Sequence, residues 1–203
     1  MMMSNQDRLR INVGCGKTPT AGWRNFDNSP SLLISRYPYL RLAVQKLKVL
    51  THDQTEYLEF LNRNSIEWAN GAKQIPVSTA SADVIYSSHM LEHLDRNEAR
   101  RFLKEAYRCL KPNGILRIVV PDLELAVKDY LQNSDADSFV ARLKLAHQKP
   151  AALSERIKGW IVGWRDHRWM YDGQSLRKLL FEIGFSRVEV LEAGCSLIAE
   201  PGD

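Results

Sequence analysis

Leu9-Arg10-Ile11-Asn12-Val13-Gly14-Cys15-Gly16 is the stretch whose reading decides the fold. Aliphatic and β-branched residues run into two glycines spaced one residue apart. That pattern reads as a buried strand entering a tight turn. A glycine there can take positive φ, and without a Cβ it lets a ligand lie close to the backbone. In an open α/β sheet, ligands bind outside the carboxyl ends of the strands. The turn after Val13 is therefore the expected ligand-binding edge, and the ligand expected there is a nucleoside-bearing cofactor. Pro19 occupies the third glycine position of Gly-x-Gly-x-x-Gly, which counts against a dinucleotide.

Working outward, Trp23-Arg24-Asn25-Phe26 leads to Asp27 and reads as a second short strand closed by Asn28-Ser29-Pro30. The gap between Gly16 and Asp27 is too short for a crossover helix, so a single turn or 3₁₀ segment is expected there. Residues 31–64 look like a helical insert. Leu40, Ala43, Val44 and Leu47 fall at helical spacing, and Tyr57, Leu58 and Leu61 share a face of a second helix over Gln54–Asn62. These helices either cover the sheet or act as a substrate lid or membrane-surface helix. Ser65–Ala69 and Ala82–Tyr86 read as strands three and four. Asp95 with Glu98 makes a capping-box start for a helix whose stripe is Ala99, Phe102, Leu103, Ala106, Tyr107 and Leu110. Pro112-Asn113-Gly114 turns the chain into strand five, Ile115–Val120, and Pro121-Asp122 opens the next helix. Gly163–Asp172 is a loop dense in aromatic and ionisable residues. Gln174–Phe181 is helical, and Arg187–Leu191 with Cys195–Ala199 read as a terminal antiparallel strand pair. Alternating strands and helices give an α/β domain with a mostly parallel sheet.

The totals fit one globular domain. The chain has 203 residues, 44% hydrophobic and 26% charged. A net charge of +4 from 28 basic and 24 acidic residues is a small excess that argues only weakly for nucleic acid or an anionic membrane. Cys15, Cys109 and Cys195 stand far apart, with neither a zinc spacing nor a disulfide framework, which fits a reducing cytoplasm. No metal is expected from the spacing of the cysteines and histidines. The polar start Met1–Arg8 is unlike a signal peptide.

Together these pieces resemble the class I S-adenosylmethionine-dependent methyltransferases, and in particular small bacterial members. Four signatures carry the resemblance. They are Val13-Gly14-Cys15-Gly16 with Gly22-Trp23 and Asn25-Phe26-Asp27; Ala82–Tyr86 with Ser87-Ser88-His89-Met90-Leu91-Glu92-His93-Leu94; Leu110-Lys111-Pro112-Asn113-Gly114-Ile115-Leu116; and Gly184-Phe185. The resemblance implies a Rossmann-like methyltransferase fold: a seven-stranded, mostly parallel sheet with helices on both faces and a C-terminal antiparallel pair. Residues 1–203 would then form one methyltransferase domain, with the helical insert at about 31–64 and a helical and lid region at about 122–172.

The resemblance also implies S-adenosylmethionine as cofactor. Val13, Gly14, Cys15 and Gly16 would pass its methionine and ribose. Asp27 would hold the ribose hydroxyls, a task suited to an acceptor-only carboxylate. Asn70 stands where the family often has an Asp near the adenine amine, and Ser87 and His89 would line the methionine end.

Chemistry beyond the cofactor asks for an aligned acceptor and, if that acceptor is a hydroxyl, a base. Imidazole, titrating near ~6.5, suits the task. His167 and His89 are the candidate bases, His167 within a lid over the acceptor. Asp122 is equally an N-cap or a reactive-edge acid. Trp169 and Tyr171, with Trp164, either stack on a sugar or plug the core. His89 and His93, at i and i+4, are expected on one helical face, with His93 a packed helix-start residue and Glu92 an acid favoured by the helix dipole. Cys15 is not expected to act as a nucleophile, since methyl transfer needs no covalent enzyme intermediate. The expected acceptor is a small molecule or glycan. The alternatives are a nucleic-acid methyltransferase, against which stands the lack of an Asn/Asp-Pro-Pro-Tyr/Phe motif after strand four, and a non-catalytic partner subunit.

Overall fold

A computed structural model describes residues 8–40, 42, 52–145 and 166–198. The described elements begin with β1 (Arg10–Val13), β2 (Arg24–Asp27), α1 (Pro30–Arg36), α2 (His52–Arg63) and β3 (Ile66–Trp68). There follow β4 (Ala82–Ser88), α3 (Arg96–Cys109), β5 (Leu110–Val119), α4 (Leu123–Asn133), α5 (Ala136–Leu143) and α6 (Gly173–Ile183). The strands form one five-stranded sheet in the order β3-β2-β1-β4-β5. Every pairing is parallel, with Ile11 opposite Arg24 on one side and Ile85 on the other. The order reverses direction between β1 and β4, and that switch point is where an open α/β sheet leaves a crevice.

The crossover from β1 to β2 contains no helix. Two buried asparagines hold it instead. The Asn12 amide donates to Thr18 O and Thr20 Oγ1. Asn25 accepts from Thr20 N and donates to Thr20 O and Trp23 O. These bonds satisfy the turn's backbone groups where a helix would have satisfied its own.

The main core lies on the face covered by α3 and α6. Ile11, Val13, Phe26 and Ile85 meet Phe102, Leu103 and Ala106 from α3 and Leu179 and Leu180 from α6. The capping box at Asp95 forms as expected: its carboxylate accepts from Asn97 N and Glu98 N, and Glu98 returns the bond. Tyr107, expected in the stripe, is half-exposed and stacks edge-on against Phe185, while Cys109 takes the buried position. The insert packs as a cover. Leu32 of α1 and Tyr57 and Leu61 of α2 close over Cys15 and Ile66. The expected helix through Leu40–Leu47 lies largely outside the described residues.

Three expectations change. β5 begins at Leu110 rather than Ile115, because Lys111–Gly114 form an irregularity that stays attached to the strand. Lys111 Nζ pairs there with Asp83, whose carboxylate also accepts Leu9 N. Second, residues 187–191 and 195–198 form no strands, so the described sheet has five strands rather than seven. Val190 is 64% exposed and Leu191 40%, so this piece lacks the buried face that would fix a register. Its end still touches the sheet, where Ile198 packs on Trp23 and Val84. Third, His89 and His93 do not share a helical face. His89 has φ 50°, and the following helical turn is a 3₁₀ segment, Leu91–His93. No helix of the described residues is long and apolar enough to cross a membrane.

Candidate functional site

The carboxyl ends of β1 and β4 meet at the switch point. Gly14 has φ 73° and Gly16 φ 51°, both in the region glycine favours. Gly14 N and Cys15 N both donate to Phe26 O, and Gly16 N donates to Asp27 Oδ2. The glycine turn is thereby hung from the end of β2. What approaches Gly14 is the Met90 side chain: a Cβ there would lie 2.5 Å from Met90 Cγ. A Cβ on Gly16 would meet nothing, so the open face of the turn is at Gly16. Met90 also shows that the loop after β4 lies directly against this turn.

Asp27 is 9% exposed and accepts from Gly16 N on one oxygen and Ser29 N on the other. A carboxylate offers about four acceptor sites, so each oxygen keeps capacity for a hydroxyl donor. Asn70 follows β3 on the same edge, and its Oδ1 accepts Ala72 N. Ser87 is 1% exposed and its Oγ is enclosed without a hydrogen-bond partner. Cys15 is buried among Leu32, Tyr57 and Leu61, and burial beside the Asp27 carboxylate pushes its thiol up to about 12. Such a thiol is protonated at neutral pH and inert as a nucleophile.

Beyond Ser87 the chain bends at His89. The left-handed backbone turns the imidazole outward, with 62% of its side chain exposed, and sets Nδ1 3.2 Å from Glu92 Oε1. Glu92 is 1% exposed, and its Oε2 is enclosed and unpartnered. Its backbone carbonyl accepts from both Arg168 N and Trp169 N. Glu92 stands in the first turn of the 3₁₀ segment, as expected of a helix-start acid; what the sequence reading missed is its burial. The signal available was its place between Leu91 and Leu94, apolar neighbours that draw the segment inward.

The described part of the expected lid, residues 166–172, is anchored. Besides the two bonds to Glu92 O, His93 Nδ1 lies 3.1 Å from Asp166 O, and Arg168 pairs with Glu98. Trp169 is partly exposed under the Arg96 guanidinium, 4.5 Å from the ring centre. Tyr171 is 2% exposed and belongs to the main core. Burial pushes its phenol up. Asp122 caps α4 by accepting Glu124 N, and the neighbouring Leu123 N donates to Tyr171 O. Residues 163–165 lie outside the described residues.

His167 is 7% exposed, its backbone N–H donates to Lys144 O, and its Nδ1 is enclosed without a partner. Burial pushes the imidazole below its ordinary value, and the Glu92 carboxylate offsets this only in part. The ring meets His93 edge-on at 5.2 Å. Glu92, His93 and His167 thus form one cluster, each offering a donor atom within 4.8 Å of the others. Sequence spacing alone gave no hint of it, because His167 arrives from a distant loop.

The family model described as a methyltransferase domain matches residues 26–190. No curated protein matches the chain. Among solved structures, a SAM-dependent methyltransferase from Thermotoga maritima is 17% identical with a TM-score of 0.49, over 88% of this chain and 64% of that one. One from Methanosarcina mazei is 18% identical with a TM-score of 0.48, over 94% of this chain and 87% of that one. One from Archaeoglobus fulgidus is 14% identical with a TM-score of 0.43, over 88% of this chain and 61% of that one. The chain thus spans under two thirds of the Thermotoga and Archaeoglobus proteins.

Proposed function

This chain belongs to the methyltransferase-domain family, and from that premise we propose that it transfers a methyl group from S-adenosylmethionine to a hydroxyl of a small molecule or glycan. The observation that carries the reading is the opening at the switch point: the bare face of Gly16, the spare acceptor sites of Asp27 and the unpartnered hydroxyl of Ser87 share one sheet edge. A buried hydroxyl without a partner costs stability, so a polar ligand group that meets it is favoured. These residues fit a nucleoside with a charged amino-acid tail. Asp27 would take the ribose hydroxyls, Gly16 the close approach, and Ser87 the methionine end. Asn70 would face the adenine amine with the remaining lone pair of its Oδ1.

S-adenosylmethionine supplies a methyl group already activated on a sulfonium. The protein's own work is to orient the acceptor and remove its proton. His89 suits the second task. It stands at the end of β4, solvent-facing on one side, with Nδ1 directed at Glu92. In that tautomer Nδ1 carries the hydrogen and Nε2 is free to take the acceptor's proton. Glu92 is a positioning residue, fixing ring and tautomer. His167, the other candidate base, is 7% exposed with its Nδ1 enclosed, so His89 is the more accessible of the two. A base at this edge suits a hydroxyl acceptor, whose proton must leave on methyl transfer.

The test is transfer of labelled methyl from S-adenosylmethionine to a panel of sugars and small hydroxylated molecules. His89→Ala should lower kcat by roughly 10²–10⁴-fold while acceptor KM and melting temperature hold. Transfer to nucleic acid but to no member of the panel would overturn the acceptor class. Full turnover by His89→Ala would remove His89 as the base.

A further inference from the structure

We propose that Glu92, His93 and His167 bind a divalent transition-metal ion, on the same edge as the methyl-transfer site. Each of the three offers one donor atom, and these atoms lie within 4.8 Å of one another. Donors about 2.1 Å from a shared ion sit roughly 3.0–3.4 Å apart, so side-chain rotations on the order of an ångström close the set. Two independent observations point to an occupant. Glu92 Oε2 is enclosed and unpartnered on a side chain that is 1% exposed. His167 Nδ1 is also enclosed and unpartnered, on a residue 7% exposed. Buried polar atoms are normally satisfied, and two orphans in one cluster are what a missing cation would leave.

The donor set chooses the class of ion. Two imidazoles and one carboxylate suit manganese, iron, cobalt, nickel or zinc, whereas magnesium and calcium prefer all-oxygen sites. The ligands are held from outside. His93 Nδ1 lies against Asp166 O, which leaves its Nε2 for the ion. Glu92 Oε1 lies against His89, which leaves its Oε2. Such outer contacts orient ligands in metal sites generally. His93, only partly buried, gives an ion access from solvent. Three protein donors leave coordination positions open. If the methyltransferase reading holds, an ion here would draw an acceptor oxygen to the same end of β4 as His89. The binding itself rests on the cluster alone.

The experiment uses the full, untagged chain, treated with chelator and titrated with Co²⁺ alone. Calorimetry counts the ions bound, and the visible d–d absorption reports nitrogen and oxygen ligation. One Co²⁺ per chain should bind, and His93→Gln and His167→Gln should each weaken it by about a hundredfold or more. Glu92→Gln should do the same, and thermal melts should show which variants stay folded. Cys195→Ser should bind as the parent does. No binding at micromolar Co²⁺, equal binding by folded His93→Gln, or loss of binding in Cys195→Ser would each overturn the site. S-adenosylhomocysteine titrated into the same chelated sample separates the two claims. Its binding without a Co²⁺ site sinks the metal alone, and a Co²⁺ site without its binding sinks the methyl-donor reading alone.

Discussion

Cys15 lies in the glycine turn, yet its burial and the Asp27 carboxylate push its thiol up to about 12 and hold it protonated. Cys109, buried under the main core, is pushed up to about 11 by its burial. Cys195 is exposed. Thiol reactivity follows thiolate content and access. With iodoacetamide at neutral pH, mass spectrometry should find Cys195 modified first, and Cys15 and Cys109 only on unfolding. Rapid modification of Cys15 in the folded chain would contradict the packing of α1 and α2 over the turn. At this scale the sequence was legible where a residue's role is local. Gly14, Gly16 and Asp27 sit where the strand-turn pattern put them, and Asp95 caps its helix. It was opaque where a role depends on a distant partner. His167 reads as a free loop base until the fold brings Glu92 and His93 against it.

Among the elements, the β1–β2 crossover is the most unusual in kind, and it holds no helix, as the short gap from Gly16 to Asp27 led us to expect. A parallel pair normally has a longer connection. Here Asn12 and Asn25 bond the turn's backbone directly, and nothing in their spacing announces it. Asn25→Ala would strand Thr20 N, Thr20 O and Trp23 O. The cost should be about 3 kcal/mol in denaturant unfolding, since each buried group left unsatisfied is costly. A loss under roughly 0.5 kcal/mol would mean that water replaces those bonds. At the other end of the sheet, Asp83 ties Leu9 of the chain entering β1 to Lys111 at the start of β5. Partial burial alone would raise its carboxyl, but the Lys111 hydrogen bond and the Leu9 N–H outweigh that and hold it below the usual range. A carboxyl lower when folded stabilises the fold above its unfolded value of about 3.9, and that help is lost as pH falls through the folded value. Asp83→Asn should therefore cost about 1 kcal/mol at pH 7. The gap from the parent should narrow when unfolding is repeated near pH 3. An unchanged gap would show that the pairing is not electrostatic.

For the molecule as a whole, the strand and helix alternation was enough to fix an α/β sheet, because period and turn signals are local. The terminal strand pair was not. Arg187–Leu191 has the composition of a strand, but composition does not supply the covered face that holds a strand in register. The site emerges only at this scale, from the reversal of strand order between β1 and β4. Placement of the methyl donor at that reversal is tested most directly by calorimetric titration of S-adenosylhomocysteine into the wild-type chain and Asp27→Ala. One molecule should bind per wild-type chain. Asp27→Ala should weaken that binding by about 2 kcal/mol, the loss expected when a charged hydrogen-bond partner is removed. No binding by the folded wild-type chain, or equal affinity in the two proteins, would contradict it.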